Sequence, residues 1–141
     1  MPLTDIFAAT ESEARSLRLH EQPLSRFAGA DIKGVDLVKL EQLLRLAQER
    51  TFDPKLTQFP FVAELADEGP WIVRFAPALE EFLFDLDQQH IPAWGERWAQ
   101  IDEFRLDGFS TSDVTEVLRT LVRVVHEARA LKKPLFVWMA M

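Results

Sequence analysis

The stretch that decides the fold is SDVTEVLRTLVRVVHEARALKKPLFVWMAM, residues 112–141. Val114, Val117, Leu118, Leu121, Val124, Val125, Ala128 and Leu131 recur at helical spacing, which predicts one long amphipathic helix over about 112–132. Ser110 or Ser112 can cap its start, Lys132 and Lys133 answer the dipole at its end, and Pro134 stops it. LFVWMAM then reads as a strand over 135–140, apolar on both faces and so interior to a sheet.

Working back, WGERWAQIDEFRLDGF (94–109) places Trp94, Trp98, Ile101 and Phe104 on one side of a helix over about 92–104, ended by the Asp107–Gly108 turn. Pro77 suits the first turn of a helix over 77–88, whose buried stripe is Leu79, Phe82, Leu83 and Leu86. Ile91–Pro92 reads as a break, because a residue before proline avoids the α region. FPFVAEL and WIVRFA, separated by ADEGP, read as strands near 61–65 and 71–75. Asp36 can cap a leucine-rich helix over 37–50 that ends before Pro54. RFAGADIKGVD reads as irregular. Thr10 and Glu13 have capping-box spacing for a helix over 11–19, preceded by a strand near 4–9. The expectation is an α+β domain spanning 1–141, with a small mixed sheet of about four strands and about five helices packed on it.

Three features of this layout resemble the YfbM-like group of small bacterial proteins. They are Asp31, Ile32 and Lys33 opening a leucine-rich helix, EGPW at Glu68 to Trp71, and a late helix running into an apolar strand ending in Trp138. The resemblance implies a fold and no activity, and it transfers no functional residue.

Composition narrows the function. The 141 residues carry a net charge of −7, with Arg and Lys scattered among acids, so nucleic acid and anionic membrane surfaces are not expected partners. A basic protein partner is favoured electrostatically. Cysteine is absent, which excludes disulfides and thiolate chemistry and suits a reducing, cytoplasmic setting. No export signal or membrane span is read in the chain. P-loop, GxGxxG, GxSxG and HExxH motifs are all missing, and no metal site or cofactor is expected.

The candidate residues each have a structural alternative. Phe84 falls opposite the buried stripe of its helix, beside Glu80, Glu81, Asp87 and Gln88. It can anchor a protein contact steered by acids, or it can be covered by another helix. Asp87 and His90 could form half of an acid–base or metal site, though a single carboxylate and imidazole leave it incomplete. Trp94 and Trp98 could stack on a ligand, but rings at helical spacing pack cores more often. His126, near Arg119 and Arg123, reads as exposed. A protein-interaction module of inhibitor, immunity or adaptor type is therefore expected first. An enzyme using Asp87 and His90, or a small-ligand binder using Trp94 and Trp98, are the alternatives, and self-association is left open.

Overall fold

The terminal strands lie side by side at the centre of the sheet. In the computed structural model, which describes residues 3–48 and 59–141, β1 (Leu3–Ala8) pairs antiparallel with β5 (Leu135–Ala140) along its whole length, from Leu3 opposite Ala140 to Ala8 opposite Leu135. β2 (Gly29–Asp31) flanks β1, while β4 (Trp71–Arg74) flanks β5 and carries β3 (Phe61–Glu64) at the far edge. Every pairing is antiparallel, in place of the expected mixed sheet. The reason lies in the return path: Phe75 N–H donates to Leu135 O at 2.9 Å, so β5 begins at the end of the sheet where β4 stops.

The two apolar faces of β5 are both used, which confirms its interior position. Ile6, Ala8, Val73, Leu135 and Val137 belong to the main core beneath the helices. Phe7, Ile72, Phe136 and Trp138 face the other way, against Ala14, Leu17, Leu24 and Phe27. Side chains alternate across a strand, so one apolar run serves two cores.

Among the described residues six α-helices complete the α+β architecture: α1 (Glu11–Arg15), α2 (Leu37–Ala47), α3 (Pro77–Asp85), α4 (Ile91–Ala99), α5 (Asp102–Leu106) and α6 (Thr111–Leu131). The expected caps are present. Thr10 and Glu13 form a reciprocal capping box on α1, Asp36 accepts from Lys39 N at 3.0 Å on α2, and Ser110 rather than Ser112 caps α6. These side chains satisfy backbone donors that the first helical turn leaves unpaired.

Several expectations are corrected. β2 occupies a stretch expected to be irregular, since Gly29, Ala30 and Asp31 have little strand propensity. It forms because Gly29 lets the backbones meet closely: a Cβ there would lie 2.0 Å from Ile6 O. α1 stops at Arg15 rather than 19, and Leu17 turns into the second core. α2 is helical to Ala47, and the expected last residues, 49 and 50, lie outside those described, as does Pro54. α3 ends at Asp85 rather than 88. The break after it falls at Leu86 and Asp87, which are extended, while Ile91 is helical and Pro92 sits in the first turn of α4. Proline is tolerated there because first-turn N–H groups have no intrahelical partner. The helix expected over 92–104 is two helices, divided at extended Ile101. The division brings Phe104 edge-on to Trp98, with centroids 4.9 Å apart.

Two helix contacts set the place of α3 and α4 on the long helix. α4 and α6 cross closely at Gly95, where a Cβ would meet Thr115 Oγ1 at 2.3 Å. α3 also packs against α6. Among the described residues no helix is long and apolar enough to cross a membrane.

Candidate functional site: the Phe84 cleft

Leu79 and Leu83 anchor α3 in the core. Phe82 and Phe84 flank Leu83 by one residue each, about 100° to either side on a helix, so the two rings diverge. Phe82 turns to α4 and meets Trp94 edge-on at 4.9 Å. Phe84 turns to α6, where the His126 ring stacks on it at 4.6 Å with an interplanar angle of 28°. The Arg129 guanidinium lies 3.9 Å from the Phe84 centroid, within cation–π range.

Phe84 is thus half-buried, covered in part by α6 yet still lining a cleft of about 610 Å³ between α6 and the α3–α4 link. Leu86, Ile91 and Val122 add to its apolar floor. Asp85 and Asp87 stand on the link side, and Arg119, Arg123, His126 and Glu127 on the α6 side. The all-acid surround expected of Phe84 is therefore half of the picture. Asp87 does share the cleft, whereas Glu80 turns to β4 and pairs with Arg74 at 3.6 Å, and exposed Glu81 does not line it. The cationic half comes from α6, whose angle to α3 no periodicity within α3 can reveal.

On the other side of the link, Asp85, Leu86 and Asp87 also line a second, shallower hollow of about 410 Å³ with Phe82, His90 and Trp94. Asp87 and His90 meet there, and both are exposed. The contact between them is backbone, His90 N–H to Asp87 O at 2.9 Å, while Asp87 Oδ2 accepts from Gln89 Nε2 at 3.2 Å. Among the described residues, no group of three or more His, Asp or Glu is placed to hold a metal ion.

The tryptophans separate. Trp98 is fully buried and donates Nε1–H to Lys39 O at 2.8 Å, so it belongs to the core and cannot stack on a ligand from solvent. Trp94 is half-buried, with the Arg97 guanidinium 4.6 Å from its ring. Trp138 is buried in the second core, and Trp71 is half-buried on β4, where its Nε1–H donates to Glu64 Oε1 at 3.4 Å. His20 is exposed in its loop, and His126 is exposed as expected.

Two buried charges escape a reading of the sequence. Lys39 is 1% exposed. Its ammonium donates to Gly34 O at 2.7 Å, pairs with Asp107, and lies 5.5 and 5.6 Å from the Phe104 and Phe109 rings. A signal does exist: Lys39 precedes buried Leu43 by four and follows its cap Asp36 by three. Asp5, 6% exposed, sits opposite Asp31 on β2 and Trp138 on β5. Burial, with the Asp31 charge second, raises its carboxyl from the ordinary 3.8 to about 6.

No family model, curated protein or solved structure matches the chain.

Proposed function

We propose that this chain is a protein-interaction module that takes a partner segment into the Phe84 cleft. One observation carries the reading: a half-buried aromatic ring, in contact with His126 and Arg129, lies at the floor of a cleft rimmed by charged side chains. A fixed ring in an apolar depression loses little freedom on binding, and surrounding charges set orientation and approach rate. The net charge of −7 and the scattered cations argue against nucleic acid, and the lack of cysteine suits a reducing, cytoplasmic setting.

The test is affinity capture from a host lysate with the wild-type chain and Phe84→Ala, each first shown to unfold cooperatively. The expected result is a protein retained by the wild type and lost by the variant. Equal retention by both contradicts the reading.

A second reading rests on the neighbouring hollow, where Trp94, Asp87 and His90 come together. It is a small-ligand or catalytic site, with Trp98 removed from the set by its burial. A metabolite that changes Trp fluorescence in the wild type and not in Trp94→Phe supports it. No response across a metabolite panel counts against it.

A further inference from the structure

Across the Phe84 cleft an α6 wall bearing Arg119, Arg123 and Glu127 faces a link wall bearing Asp85 and Asp87, and the two walls do not close on one another. On α6, Arg119 pairs with Glu116 at 2.7 Å and Arg123 with Glu127 at 2.8 Å, each within its own helix. Both pairs are exposed, and exposed pairs of this kind contribute little, so an incoming carboxylate can exchange for either glutamate. A guanidinium also offers the planar fork that carboxylates accept in two bonds. Across the cleft Asp85 and Asp87 are exposed, and among the described residues neither is paired with a cation. Between the walls lie Phe84 and the apolar side chains beside it.

An occupant of a single charge does not fit this arrangement. An all-acidic segment meets Asp85 and Asp87, and it approaches against the field of a chain with net charge −7. An all-basic segment meets Arg119 and Arg123, and like-charge juxtaposition across an interface is costly. The Phe84 ring already holds Arg129 at 3.9 Å, so a partner cation is better placed at the aspartates than on the ring. A volume of about 610 Å³ lies within the range of compact ligand sites and admits a few side chains at a time.

Resting on the docking reading, we infer that the occupant is a partner segment in which one apolar side chain stands between an acid and a base. The acid faces Arg119 and Arg123, the base faces Asp85 and Asp87, and the apolar group seats on Phe84.

The experiment pans a displayed library of random linear peptides against the full chain and keeps those that fail to bind Phe84→Ala. The retained peptides are expected to carry an acid and a base on opposite sides of an apolar residue. Arg123→Glu is expected to weaken them about tenfold or more, and exchanging the peptide's acid for lysine is expected to restore binding to that variant. Asp87→Lys gives the mirror-image test at the peptide's base, independently of how Arg123→Glu folds. Phe84-dependent peptides of one charge sign, or failure of both charge exchanges to restore binding, overturn this inference and leave the docking reading standing. If no Phe84-dependent peptide emerges, the docking reading itself fails, and the inference with it.

Discussion

The His126 ring lies nearly parallel to the Phe84 ring, 4.6 Å away, and so fixes the floor of the cleft from the opposite helix. Phe84→Ala removes this stacking and the Arg129 contact, but it leaves the Leu79 and Leu83 anchors of α3 in place. For a half-buried ring the expected loss is about 1–2 kcal/mol, below that of a fully buried phenylalanine. Urea unfolding checks it, and cooperative unfolding with an unchanged m-value shows that the variant is fit for binding tests.

Lys39 and Asp107 make an unequal pair, the first buried and the second 41% exposed. Lys39→Met keeps most of the side-chain volume and leaves Asp107 to water, so it is expected to change stability by no more than about 1.5 kcal/mol. Asp107→Asn leaves a buried ammonium without its closest carboxylate and is expected to cost more, about 2–3 kcal/mol. Denaturant unfolding of both variants gives the order. The reverse order shows that Lys39 is not held mainly by Asp107.

Asp5 lowers stability at neutral pH. Its carboxyl is raised from 3.8 to about 6, so the folded chain binds the proton more tightly than the unfolded one. Stability from this group is full below pH 4, falls as pH rises from about 4 to 6, and stays reduced above that. Asp5→Asn is expected to raise stability at pH 7 by about 1–3 kcal/mol and to flatten this part of the profile. Asp31→Asn is expected to act in the same direction more weakly, since burial outranks the Asp31 charge as the cause. Unfolding free energies at pH 4, 5, 6 and 7 decide the sign.

Lys132 ends α6 in the left-handed conformation, with φ 56° and ψ 40°. A side chain is disfavoured there and glycine is not. Lys132→Gly is expected to stabilise the protein by up to about 1 kcal/mol, seen as a rise in Tm. A fall in Tm means that the lysine side chain contributes more than its backbone strain costs.

Residues whose pattern and burial agree make the fold legible. α6 and β5 repeat apolar residues at one clear period, and Thr10, Asp36 and Ser110 cap by local hydrogen bonds that depend on nothing distant. β2 is hidden from the sequence because close approach at Gly29, not propensity, holds it to β1. The α4–α5 division is hidden because Trp98, Ile101 and Phe104 face inward in either geometry. Asp5 and Lys39 escape notice because polar burial depends on what the rest of the chain lays over them. At the candidate site Phe84 and Asp87 are readable from α3 and the link, whereas Arg119, Arg123, His126 and Arg129 need the packing of α6.

The most direct measurement maps where binding occurs. An isotope-labelled sample is titrated with a peptide or protein that the wild type retains, and amide shifts are followed along the chain. Docking at the cleft predicts that the largest changes fall at Phe84, Asp87, Arg123 and His126. Changes concentrated elsewhere, with these four amides unmoved, contradict it.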